Sequence, residues 1–174
     1  MFICAGKSEQ FDFAIPIGIG LIEVAMNLTK LCLSQKPEFL FFVGTAGSYG
    51  EKKLFDIVES KTATNIENSF FISGAYTPLD NMISTAEDVS RETIVNSSNY
   101  ITTDENVAKY YLGKNIQLEN MEYFAVLKVA EAFGIPVAGV FIVTNYCDKN
   151  AHRDFLKNHK EAMDRLTQYI KEKQ

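Results

Sequence analysis

The sequence predicts an α/β fold, a single domain with a central mixed, largely parallel sheet flanked by helices. Three observations carry this. Phe39 to Val43 and Val137 to Val143 are unbroken apolar runs, as strands buried on both faces require. Each run follows a stretch with helical apolar spacing. Each also leads into small or polar residues: Gly44-Thr45-Ala46-Gly47 after the first, Thr144-Asn145 after the second. Open α/β sheets build their sites at such strand ends.

The elements follow in order. Phe2 to Ala5 and Phe13 to Ile17 are short apolar strand candidates. Leu21 to Leu33 reads as a helix, with Leu21, Val24, Ala25, Leu28, Leu31 and Cys32 on one stripe, and Pro37 ends it. The strand Phe39 to Val43 ends in the Gly44–Gly47 junction. Phe55 to Ser60, Ser69 to Ser73 and Thr93 to Ile101 are weaker strand candidates separated by polar turns. Asn120 to Phe133 reads as a helix with Met121, Phe124, Ala125, Val129 and Ala132 on one face, closed by Gly134. The strand Val137 to Val143 follows, with Asn145 just beyond its end. A last helix spans roughly Ala151 to Lys171. No linker or repeat divides the chain, so residues 1–174 are expected to form one domain.

Bulk composition narrows the function. The chain has 174 residues, 47% hydrophobic and 22% charged, with a formal net charge of −5. This is a globular composition, and its charge argues against nucleic acid or an anionic membrane as the main partner. No apolar run of about 18 residues exists to span a membrane. The start, Met1 to Gly6, is too short for a signal-peptide apolar region. Cys4, Cys32 and Cys147 are odd in number and far apart, and only His152 and His159 could add imidazole ligands. A cytoplasmic protein with reduced thiols and no metal site is expected.

Three segments together resemble the purine nucleoside phosphorylase and nucleosidase superfamily, including its methylthioadenosine nucleosidase-like members. They are Gly18-Ile19-Gly20 followed by a helix and then Phe41-Phe42-Val43-Gly44-Thr45-Ala46-Gly47; Asn120-Met121-Glu122; and Val137 to Asn145. The resemblance implies a nucleoside phosphorylase-like fold and cleavage of a purine N-glycosidic bond. The implied partner is a purine nucleoside and the implied assembly a homodimer or higher oligomer. No cofactor is implied, apart from phosphate as a co-substrate of phosphorolysis. The chain also departs from the pattern. The family's first strand and loop, with a glycine and an acid or arginine, are expected to be missing ahead of the matched region. The hexameric phosphorylases' arginine is replaced by Phe42. Phosphorolysis is therefore doubtful, and a relative that only binds a purine or nucleoside is the alternative reading.

The resemblance also implies roles for particular residues. Glu122 would hold the ribose hydroxyls; without the resemblance it reads first as a solvated glutamate in a helix's first turn. Met121 would pack under the sugar or belong to the core. Asn145 would read the base, resembling the Thr-Asn pair of the trimeric, 6-oxopurine-specific phosphorylases. An amide can donate and accept but cannot deliver a proton, which suits hypoxanthine or guanine better than adenine. As a plain residue, Asn145 is a turn asparagine. His159, fourteen residues on, resembles a histidine that meets the ribose 5′ hydroxyl; it also fits a helical stripe with Phe155, Ala162 and Leu166. Tyr100 and Ile101 resemble a base-stacking segment, and a buried strand tyrosine is the plainer reading. Thr45 and Gly47 would offer donors to an anion or water, or simply satisfy a tight turn.

Overall fold

Two central strands form the spine of the sheet because consecutive side chains are apolar and each strand face meets a different helix layer. The computed structural model describes residues 1–72 and 75–173. In chain order its elements are β1 (Phe2–Cys4), β2 (Ile15–Pro16), α1 (Gly20–Gln35), β3 (Leu40–Ser48), β4 (Ile57–Ser60) and β5 (Thr62–Thr64). There follow β6 (Met82–Ser84), β7 (Ile94–Ser97), α2 (Glu105–Leu112), β8 (Leu118–Asn120), α3 (Tyr123–Phe133), β9 (Val137–Tyr146) and α4 (Ala151–Lys173). The strands order as β2-β1-β3-β8-β7-β5-β6, and β9 lies against β3 with β4 on its other edge. The β3–β9 pairing is parallel from Leu40↔Val137 to Ser48↔Tyr146. The β3–β8, β4–β9 and β5–β6 pairings are antiparallel, so the sheet is mixed.

Alternation along the two central strands divides the core. Phe42, Phe141 and Val143 pack with Val24, Leu28 and Cys32 of α1 and Val126, Val129 and Ala130 of α3. Val43, Val140 and Ile142 pack on the opposite face with Ala162, Leu166 and Ile170 of α4. Both predicted interior strands are thus interior, and the predicted fold class holds. The Phe42 ring lies 5.9 Å from that of Tyr123 and 5.7 Å from that of Phe141, deep in the core. The α1 stripe packs as its spacing predicts, and α1 ends with Lys36 in the left-handed region just before Pro37.

Several boundaries differ from the sequence reading. Gly44–Gly47 is no strand-to-loop junction: β3 runs through it to Ser48, because β8 and β9 continue the hydrogen-bonded ladder on both edges. Likewise Asn145 lies within β9, opposite Gly47, after a register irregularity between Ala46 and Gly47. Asn120 ends strand β8 rather than starting a helix. Its side chain then caps α3, Oδ1 accepting from Glu122 N (2.7 Å) and Tyr123 N (2.9 Å). Ala132 faces solvent instead of the core, and Gly134 closes α3 as expected. Around Ser69 there is a 3-10 turn, Asn68–Phe70, in place of a strand; the expected strand's end, Ser73, lies outside the described residues. The apolar start forms β1, as expected of Phe2 to Ala5, paired in parallel with β3 through Phe2↔Phe41 and Ile3↔Phe42. No helix among the described residues is long and apolar enough to cross a membrane.

Candidate active site

A cavity of about 260 Å³ opens at the carboxyl ends of β1, β3 and β9. Its first wall is the loop after β1. Gly6 and Glu9 exchange backbone hydrogen bonds of 3.1 and 3.0 Å, which fixes the loop. The Glu9 carboxylate then reaches β3. There Oε2 accepts from the Thr45 backbone N–H at 3.0 Å and Oε1 from the Thr45 hydroxyl. Two donors from one residue orient the carboxylate toward the cavity.

Glu122 faces Glu9 from the start of α3. Glu122 is the N-cap of that helix, but its carboxylate makes no capping bond and is buried, only 4% exposed. Its Oε1 accepts from Gly20 N at 3.0 Å and its Oε2 from Met121 N at 3.2 Å. This is why glycine begins α1: a Cβ at Gly20 would stand 2.8 Å from Asn99 Oδ1, and its φ is +79°. Asn120 Nδ2 donates to the Thr45 carbonyl at 3.2 Å, locking the two acidic walls together through β3.

The opposite end of the cavity is built on one row of the sheet. Gly47 pairs with Glu119 of β8 on one side and Asn145 of β9 on the other. Gly47 keeps the floor open: a Cβ there would lie 2.9 Å from Cys147 Sγ and 3.1 Å from Asn145 Nδ2. The Asn145 amide is oriented by two bonds, Oδ1 accepting from Thr144 Oγ1 (2.9 Å) and Nδ2 donating to the Tyr146 carbonyl (3.1 Å). One Nδ2 hydrogen remains for a ligand. His152 and Phe155, from the first turns of α4, complete the rim.

The electrostatics are one-sided. Glu9, Glu119 and Glu122 all line the cavity, and no Lys or Arg is among its described lining residues. Burial pushes the Glu122 carboxyl up to about 8, and the neighbouring Glu9 charge adds to this. Burial raises Glu9 as well, against the two bonds from Thr45 that lower it. Glu119 is raised by burial too. Burial and the Glu9 charge thus both disfavour the ionised form of Glu122. Among the described residues, no group of three or more His, Cys, Asp or Glu side chains is placed to hold a metal.

The sequence-derived candidates divide in two. Glu122, Asn145, Met121, Ile101, Thr45 and Gly47 all line the cavity. Tyr100 and His159 do not. Tyr100 is 74% exposed in the loop after β7, so it is no buried strand tyrosine. His159 lies one turn behind Phe155, with the two rings tilted edge to face at 5.0 Å. Asn158 bonds the Thr144 carbonyl at 2.8 Å, which ties α4 beneath the strand end and keeps its next turn off the cavity. Sequence reasoning missed Glu9, Glu119, His152 and Phe155. For Glu9 a signal existed: a glycine and an acid, Gly6 and Glu9, follow directly on an apolar strand.

Fold and cavity together define an α/β protein with an acidic cleft at the strand ends of a largely parallel sheet. Residues 9–172 match the family model of the phosphorylase superfamily, and the chain belongs to that family. Its fold is that of the nucleoside phosphorylases and nucleosidases. A Helicobacter pylori futalosine hydrolase mutant superposes with a TM-score of 0.81 at 15% identity, covering 98% of this chain and 95% of that one. A mutant Helicobacter pylori methylthioadenosine nucleosidase with 5′-methylthioadenosine in its active site gives 0.77 at 17% identity, over 91% of this chain and 78% of that one. The Streptococcus pneumoniae MTA/SAH nucleosidase with 8-aminoadenine gives 0.75 at 15%, over 97% and 95%. At these identities the likeness establishes the fold. No curated protein matches the sequence.

Proposed function

We propose that this protein is a nucleosidase that hydrolyses the N-glycosidic bond of a purine nucleoside, with a preference for 6-oxopurines. The observation that carries this reading is the carboxyl pair Glu9 and Glu122 in a cavity whose described lining has no Lys or Arg. An anionic co-substrate meets acidic side chains and no Lys or Arg in the described lining, whereas water meets an oriented base. Glu9, steered by Thr45, takes a proton from the attacking water. The water oxygen bonds the anomeric carbon as the bond to the base breaks and its electrons pass to the purine. Glu122 accepts from the ribose hydroxyls and stabilises the oxocarbenium-like sugar, with Met121 beneath it. Asn145 donates its free amide hydrogen to the purine N7, and Ile101 packs on the base. The released base takes its proton from solvent.

One observation favours a second reading, a protein that binds a purine nucleoside without cleaving it: the base-reading residue is an amide, which delivers no proton. Release of free base from inosine, guanosine and adenosine, with and without phosphate, separates the two. Hydrolysis predicts release from inosine and guanosine that is independent of phosphate. We also propose a homodimer or higher oligomer. Ile22, Met26 and Leu33 are exposed along one side of α1, an apolar surface suited to self-association. A solution mass near the chain's 19.6 kDa would contradict it.

A further inference from the structure

The segment between β7 and α2 has no regular structure, yet it carries Ile101 to the cavity wall. Two anchors hold it. At its start Asn99 Oδ1 accepts from Leu21 N at 3.0 Å. At its end the Glu119 carboxylate takes both donors of Thr102, the backbone N–H at 2.8 Å on Oε1 and the hydroxyl at 2.5 Å on Oε2. Tyr49 OH adds a third bond at 2.9 Å, and the Tyr49 ring stacks on Tyr111 of α2 at 4.3 Å. One buried carboxylate thus ties β8, the end of β3, the Ile101 segment and α2. No Lys or Arg side chain pairs with it among the described residues; two hydroxyls, one backbone amide and, at 3.8 Å, the Cys147 thiol donate to it. Placing an acid at this cost in the sheet row of Gly47 and Asn145 needs a return.

We infer that Glu119 is a positioning residue: by gripping Thr102 it seats Ile101 as the wall against which the base packs. This rests on the nucleosidase reading of the cavity. Glu119 itself takes no part in the chemistry, so its loss weakens substrate binding and leaves the chemical step alone. The two Thr102 donors meet different oxygens of Glu119, so an amide at this position sets an NH2 donor against one of them.

The test is steady-state kinetics on inosine. Glu119→Gln is expected to raise KM about tenfold while kcat stays within about twofold, the pattern of lost binding shared by ground and transition states. Thr102→Ser keeps both donors and is expected to match the wild type; Thr102→Val loses the hydroxyl and is expected to raise KM several-fold. Should Glu119→Gln fail to fold, the serine–valine contrast decides with the carboxylate in place. An unchanged KM in Glu119→Gln, or in Thr102→Val where that contrast decides, overturns the inference. So does an equal fall in kcat and kcat/KM. If the wild type binds inosine without turnover, the same contrasts are read as dissociation constants by calorimetry. A wild type that neither cleaves nor binds a purine nucleoside overturns the nucleosidase reading and this inference with it. An active wild type with an insensitive Glu119 overturns this inference alone.

Discussion

Glu9 and Glu122 both line a cavity whose described lining offers no Lys or Arg; burial raises both carboxyls, and the Glu9 charge raises Glu122 further. Thr45 gives Glu9 two donors, which favours its ionised form as a base. Glu9→Gln keeps the shape and removes the base. The expected result is a fall in kcat of about 10²–10⁴-fold with KM little changed, read by steady-state kinetics on inosine. Asn145→Asp should shift preference toward 6-amino purines, because a protonated carboxyl donates to N7 and a carboxylate accepts from the amino group. Equal relative use of inosine and adenosine by wild type and variant would refute that role. These residues were unevenly legible. Glu122 stands in a motif beside Met121, so a resemblance found it. Glu9 had a local signal, an acid close behind Gly6 after an apolar strand, but its partner Thr45 lies thirty-six positions away.

At the scale of elements, long and chemically uniform segments were readable and short ones were not. β3 and β9 announce themselves as unbroken apolar runs, and α1 by its stripe, since each must match two packed faces or one. β5, β6 and β8 are three residues each, too short for a period. β8, moreover, buries the polar Glu119 and Asn120, and Asn120 reads from the sequence as a helix start. Strand ends were misjudged because Gly44–Gly47 carries small residues that look like a turn. Those residues serve close approach instead. Gly47→Ala sets a methyl against Cys147 and Asn145, at 2.9 and 3.1 Å. The expected cost is about 1–3 kcal/mol of stability by denaturant titration, with weakened purine binding as Asn145 is displaced. Unchanged stability together with unchanged binding would show that the floor of the cavity is looser than described.

At the scale of the whole molecule, the buried acids set how stability varies with pH. The Glu122 carboxyl is raised to about 8 in the folded state from an ordinary value near 4.5. A group raised on folding stabilises fully below its unfolded value, and that stability is lost as pH climbs toward the folded value. The ligand-free protein should therefore lose thermal stability between about pH 4.5 and pH 8. Glu122→Gln should flatten that slope, and an identical slope in the variant would locate the titrating group elsewhere. The central claim, that this cavity delivers water to a purine nucleoside, is tested most directly by one measurement: base release from inosine by the purified protein in phosphate-free buffer. The account predicts hypoxanthine and free ribose, formed at a rate that added phosphate does not increase. Release that requires phosphate and yields ribose 1-phosphate, or no release from any purine nucleoside, would contradict it.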